Sequence, residues 1–413
     1  MSTIAAHASP PVSLRQDVGV IGLVGLAHMI SHYSQLLLAP LFPWLKDAFN
    51  ASYTELGFLM TLFFVVSCAV QAASGFLVDR YGPRPILFGG LALLGTAAFG
   101  FAFSPNYGTL AMFSIVAGIG NGVFHPVDYT LLNRKVSAAR LGHAYSFHGI
   151  TGSLGWALAP AMLVPLAIAF SWRVALMGAG TLAFTVLAVL WLNRRRLLLP
   201  AAAPSPAGAA SKAHAEGNFD FLRIPAVWMC FGFFFFYAVV LSVIQAFAPE
   251  AARQLHGVPV ALAAMCLTVY MVCSAAGMVL GGFLAADPSR CERVVGIGFG
   301  MAAVIALVIG LGTVPALAVP ALFGAMGFAS GIAGPSRDLL VKKSTPENST
   351  GRVYGIVYSG LDIGQAIAPL FFGALMDSRN YQGVWLGLVA MQVVLISSAF
   401  NVRRVRRTAV ATA

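Results

Sequence analysis

A handful of polar side chains stand out in this sequence because so little around them is polar. His28 and His32 lie four apart, on one face of any helix, with Gln35 beside them. Asn121, His125 and Asp128 fall in a second apolar run, and Tyr145 and His148 in the next. Further on come Tyr237 and Gln245, then Arg337 with Asp338, then Tyr354, Tyr358, Asp362 and Gln365. An ionisable group in hydrocarbon costs a few kcal/mol unless it meets a partner or water. Each of these residues is therefore either kept for function or satisfied locally. Arg337 holds a permanent charge and can grip a carboxylate or phosphonate through two parallel hydrogen bonds. His28, His32, Tyr237, Gln245 and Asn121 can hydrogen-bond a solute; a buried ring of this kind is equally served by a backbone carbonyl. Asp362, His125 and His32 are the groups placed to exchange a proton, imidazoles titrating near neutral pH without help. No residue set suggests catalysis.

The elements that must carry these groups follow from composition. The chain has 413 residues, 59% hydrophobic and 9% charged, with mean hydropathy +0.83. A soluble protein has about 25% charged residues. The reading is an all-α membrane protein. Apolar runs fall at roughly 18–45, 54–77, 84–104, 107–132, 142–169, 172–193, 226–254, 259–286, 294–312, 315–341, 352–377 and 382–402, giving twelve spans in two six-helix bundles. The expected parts are a polar arm at 1–16, a first bundle at 17–193, a linker at 194–224 rich in Ala, Pro and Ser, a second bundle at 225–402 and a basic tail at 403–413. The first apolar run is too long for a cleavable signal. A net charge of +11 does not indicate nucleic acid, because the charges sit in short loops between apolar runs. The five cysteines show neither a metal-ligand spacing nor a disulfide framework.

Counting Lys and Arg by loop gives 20 on one side, 4 on the other and Arg337 inside a span, which accounts for all 25. That bias places both termini in the cytoplasm of a multi-pass inner-membrane protein. The halves also repeat. An offset of 209 pairs Pro160 with Pro369, Gly155 with Gly364, Gly118 with Gly327, Gly122 with Gly331, Pro126 with Pro335 and Ala39-Pro40 with Ala248-Pro249. The same offset pairs His28 with Tyr237 and Asp128 with Arg337, so opposite charges occupy equivalent places. Two parallel repeats about an axis along the membrane normal are a transporter architecture. Asp128 and Arg337 are then expected to pair as a gate when the cytoplasmic side is shut; Asp128 is equally open to an acceptor role within its own half, for instance with His125. Asp362 lies ten residues beyond Arg352, ~15 Å along its helix and near the midplane.

Gly75-Phe76-Leu77-Val78-Asp79-Arg80-Tyr81-Gly82-Pro83-Arg84-Pro85 forms a charged turn between the second and third runs. Here Gly75 would allow close helix approach, Asp79 could cap a helix, and Gly82-Pro83 would stop one helix and start the next. This string resembles the loop between helices 2 and 3 of the major facilitator superfamily, and the resemblance covers nearly the whole chain. Gly122-Val123-Phe124-His125-Pro126 and the string Ala368-Pro369 to Asp377 are similar to the fosmidomycin-resistance branch, except that Val127-Asp128 stands where that branch tends to carry a glutamate. The resemblance implies a cavity lined by helices 1, 4, 7 and 10, gating by Asp79, Arg80 and Arg84, and proton-coupled alternating access. The expected activity is secondary active transport of a small organic anion or drug-like compound by a monomer in a lipid bilayer, with protons as partner and no cofactor. The alternative is a metal or metallophore carrier of the same fold, motivated by His28, His32, His125 and fourteen Met; no metal site is assigned, since scattered Met is usually packing. No phosphate-binding loop, zinc motif or nucleophile elbow suggests an enzyme or an ATP-driven pump.

Overall fold

Away from water, a long apolar segment can satisfy its backbone only within itself, and the chain resolves into helices accordingly. The computed structural model describes residues 13–137, 140–199, 225–284, 290–344 and 350–411. The polar arm up to residue 12 and the linker from 200 to 224 lie outside the described residues, as do the side chains of Asp79, Asp338, Tyr354 and Tyr358. Among the described residues, twelve helical stretches are long and apolar enough to cross a membrane. The first half contains α1 (Leu14–Gln35), α2 (Phe42–Phe49), α3 (Tyr53–Tyr81), α4 (Pro83–Phe103), α5 (Tyr107–Asn121), α6 (Phe124–Lys135), α7 (Leu141–Ala169) and α8 (Trp172–Leu192). The second contains α9 (Pro225–Ala246), α10 (Ala248–His256), α11 (Val260–Leu284), α12 (Cys291–Leu311), α13 (Val319–Ser344), α14 (Thr350–Asp377) and α15 (Tyr381–Ala411).

Local chemistry sets the ends. Ser52 and Glu55 form a reciprocal capping box at the start of α3, and Asn106 with Thr109 does the same for α5. Gly82 ends α3 at φ 80°, a conformation costly for any residue with a Cβ, and Pro83 opens α4. Ala-Pro pairs mark a break in both halves: Ala39-Pro40 begins a 3-10 turn after α1, and Ala248-Pro249 begins α10 after α9. The seventh span therefore stops at Ala246 rather than running to 254. The fourth span is also broken, between α5 and α6 at Gly122 and Val123, four residues before Pro126 removes a backbone donor. Two further expectations are corrected. Gly75 has no heavy atom within 4 Å of where a Cβ would be, so it mediates no close approach. Asp79 falls in the last turn of α3, not at a cap. The basic tail continues α15 as helix to Ala411.

The internal repeat is visible in the packing. A Cβ on Gly118 or Gly122 would strike the carbonyl oxygens of Phe63 and Ser67 on α3; one on Gly327 or Gly331 would strike those of Tyr270 and Ser274 on α11. The two helix pairs pack alike, with the same four-residue step. In lipid nothing squeezes helices together, so such contacts supply the dispersion that holds each half.

The halves meet along α3 with α14 and α7 with α11. The Asp377 carboxylate, at the C-terminus of α14, accepts from the Tyr53 amide at 2.6 Å, the Thr54 amide at 2.9 Å and the Thr54 hydroxyl at 2.6 Å. Next along the seam, Gly57 packs on Pro369 and the Thr61 hydroxyl donates to the Ala366 carbonyl at 2.6 Å. Gln71 reaches Asp362 at 3.4 Å, ~22 Å along α14 from Asp377. On the other seam Thr268 donates to the Ala157 carbonyl at 3.3 Å. Towards the basic end, Phe76 and Phe283 are largely exposed.

Candidate functional site

The densest polar cluster lies inside the first half, where α1, α6 and α7 converge. Asp128 on α6 is fully buried. Its Oδ2 stands 3.1 Å from His28 Nδ1 and 3.1 Å from His148 Nε2, within hydrogen-bond reach of both imidazoles. The His28 and His148 rings stack with centroids 3.5 Å apart. His125, one turn before Asp128 on α6, is half-buried with its ring 5.3 Å from that of His28. His32 packs between the His28 ring at 4.4 Å and the Trp156 indole at 4.3 Å, and Trp156 donates to Gln35 at 2.9 Å. Tyr129 lies 5.3 Å from the His148 ring and is exposed together with Tyr145, which hydrogen-bonds Asn133. Glycine makes this convergence possible: a Cβ on Gly152 would meet the rings of His32 and His28, and one on Gly155 the backbone of α1.

Asp128 is therefore not paired with Arg337 in this conformation; its Oδ2 is held within its own half, by His28 and His148. Arg337 instead lies over the Tyr237 ring at 4.4 Å and the Phe234 ring at 5.5 Å. The repeat explains both. The offset that takes His28 to Tyr237 takes Asp128 to Arg337, so one contact between the first and fourth spans is made twice. In one half it joins an imidazole to a carboxylate, in the other a phenol to a guanidinium.

The remaining expected residues divide. Gln245 and Gln365 face each other at 3.4 Å between α9 and α14. Asp362 stands on the seam between the halves beside Gln71 and Cys68. Asn121 is tied into the first half: it accepts from Ser31 at 2.7 Å and donates to Ser67 at 2.9 Å. Arg80 is exposed and lies over Tyr81, and Arg84 is half-buried at the start of α4.

Several residues were not singled out by sequence. His148 is one polar residue among several in its apolar run, with nothing in its spacing to mark it, although it is a direct partner of Asp128. Asp377 carried a signal: a carboxylate at a helix C-terminus is disfavoured by the helix dipole and needs a donor from elsewhere. Asp17, buried in the first turn of α1, accepts from Arg140 at 2.6 Å and from the Ser137 hydroxyl at 2.7 Å, fixing the loop before α7. Glu250 and Arg253 pair at 2.6 Å on α10, and the carboxylate holds the guanidinium's pKa above its ordinary value.

A family model described as Major Facilitator Superfamily matches residues 24–369 and again 235–412. The fosmidomycin resistance protein of Escherichia coli K12 is 26% identical over 195 residues, 45% of this chain and 44% of that protein. A probable sulfoacetate transporter, SauU of Cupriavidus necator H16, is 24% identical over 170 residues, 41% of this chain and 40% of that one. The chain thus spans less than half the length of these curated relatives. A solved bacterial homologue of the human lysosomal transporter Spinster, in an inward-facing and occupied conformation, superposes with a TM-score of 0.78 over 95% of this chain and 98% of its own at 15% identity, a likeness of fold.

Proposed function

This chain belongs to the Major Facilitator Superfamily, and from that premise we propose that it is a proton-coupled secondary transporter of a small organic anion. The observation that carries the reading is the seam: two repeated halves joined at one end by Asp377 on the α3 N-terminus, with the Gln71–Asp362 contact further along α14. The charge bias makes the joined end the outer one, so the chain opens towards the cytoplasm, with the bodies at 17–193 and 225–402 rocking about the seam. The chain acts as a monomer in the inner membrane. Arg337, set on Tyr237 and Phe234, takes the anion. Asp362 takes the proton: it lies where the halves must part, so its charge and its hydrogen bond to Gln71 change with the motion. The sulfoacetate and fosmidomycin names of the relatives, an anionic sulfonate and a phosphonate drug, agree with an anion at Arg337.

The test is flux in proteoliposomes with an imposed pH gradient, across sulfonates, phosphonates and carboxylates. Wild-type flux should follow the gradient. Asp362→Asn, fixed in the neutral form, should exchange solute between pools but no longer accumulate it. Arg337→Ala should abolish flux of anions at any gradient. Wild-type flux that ignores the gradient removes the proton, and undiminished anion flux in Arg337→Ala removes the anchor.

A further inference from the structure

The proposed scheme uses one charged residue from each function, Arg337 and Asp362, and leaves the cluster on α1, α6 and α7 without a task. That cluster is more than the architecture requires. At the offset of 209 the positions of His28, His125, His148 and Asp128 are answered by Tyr237, Gly334, Val357 and Arg337, so the second half packs without a single imidazole there. The first half instead gathers three imidazoles from three helices around one carboxylate. The ligating atoms of His28, His125 and His148 all lie within 4.8 Å of one another. Two of them already converge on Asp128 Oδ2, each at 3.1 Å. Asp128 Oδ1 is buried without any hydrogen-bond partner.

We infer that His28, His125, His148 and Asp128 form a binding site for a divalent transition-metal ion of the zinc type, held entirely within the first half. Three imidazole nitrogens and one carboxylate oxygen are the donor set that suits Zn2+, Co2+ or Ni2+; Mg2+ and Ca2+ prefer all-oxygen shells. Around a four-coordinate zinc with bonds of ~2.0–2.1 Å, neighbouring donors stand ~3.3 Å apart. The observed spacing needs side-chain closure of ~1.5 Å and no helix movement. Charge favours the ion as well. The buried carboxylate makes its polar contacts with two imidazoles. A proton on one ring would offset its charge yet leave Oδ1 bare; a divalent ion engages carboxylate and imidazoles together. Access is from the exposed side of His125, beside the exposed Tyr129. His32, wedged against Trp156, sets the His28 ring from behind and stays outside the donor set. The inference does not depend on which solute moves or on the proton scheme.

The experiment is zinc binding to the full-length chain, purified in detergent and stripped with a chelator, read by calorimetry and by metal analysis after gel filtration. One Zn2+ per chain is expected, with Mg2+ and Ca2+ unable to compete. Co2+ in place of Zn2+ should give the intense visible bands of a four-coordinate ion. His125→Gln, at the least buried of the three rings, should weaken binding at least about tenfold and alter the Co2+ spectrum. A His28→Gln/His148→Gln double variant should abolish both signals. Arg337→Ala and Asp362→Asn should bind zinc as the wild type does, which separates failure here from failure of the transport scheme. Absence of stoichiometric zinc in the wild-type chain would overturn the site. So would wild-type binding in the His125 and double variants, which would put the ion on surface groups such as His143.

Discussion

Asn121 and Asp128 lie seven residues apart in one span, yet their surroundings assign them opposite roles. Asn121 joins α1 to α3 through Ser31 and Ser67, and these two bonds give its amide a structural task. Replacing it by Ala strands two buried hydroxyls. At ~1 kcal/mol per buried hydrogen bond, and somewhat less where the reference state is also in lipid, the cost is about 1–3 kcal/mol. Asn121→Ala should therefore lower the thermal midpoint of the detergent-purified chain while leaving the solute affinity of the folded fraction unchanged. A normal midpoint with weakened solute binding would return Asn121 to the binding site. The contrast shows what residue types alone could convey. The offset of 209 pairs Asp128 with Arg337. Depth and symmetry do not say which way a side chain turns about its helix. That was decided by α7, which brings His148 to Asp128 because Gly152 and Gly155 let it lie against α1.

Among the helices, closeness depends on a few positions without side chains. Gly122 and Gly331 occupy equivalent places and face equivalent carbonyls, of Ser67 and Ser274. Gly149 shares α7 with Gly152 and Gly155 but has nothing within 4 Å of where a Cβ would be. Gly331→Val should thus force α13 away from α11 and destabilise the second half by several kcal/mol, whereas Gly149→Ala should be neutral or stabilise by up to about 1 kcal/mol through helix propensity. Thermal unfolding of the two variants side by side checks this, and equal losses would mean that the repeat carries no packing information. The same logic explains why helices were readable in advance and their interruptions less so. Lipid leaves a long apolar run no option but helix, so twelve spans and their duplication followed from hydropathy and offset. The breaks at Gly122-Val123 and at Phe247 lie in stretches as apolar as their neighbours. Only Pro126 and the Ala248-Pro249 pair marked them, and Pro335, the counterpart of Pro126, sits inside an unbroken α13.

For the molecule as a whole, the question is which contacts hold one end shut. Asp377 makes three hydrogen bonds across the seam, two of them to amides in the first turn of α3, where the helix dipole adds to the attraction. A carboxylate so placed contributes more than a neutral group, roughly 1.5–3 kcal/mol for a charged hydrogen bond. Every 1.4 kcal/mol shifts a two-state population about tenfold, so the loss of Asp377 should be felt as a change of state before it is felt as unfolding. In a background without native cysteines, spin labels at Asp47 and Gln382 report the joined end, and labels at Tyr81 and Arg290 the opposite one. Asp377→Ala should add a longer component to the first distance distribution and a shorter one to the second. Asp377→Asn keeps an acceptor and loses the charge, so it should fall between Ala and wild type. If both distributions stay as in the wild type, the hold of one half on the other resides in Thr61 and the Gly57–Pro369 contact instead. The gate would then be a matter of packing rather than of charge.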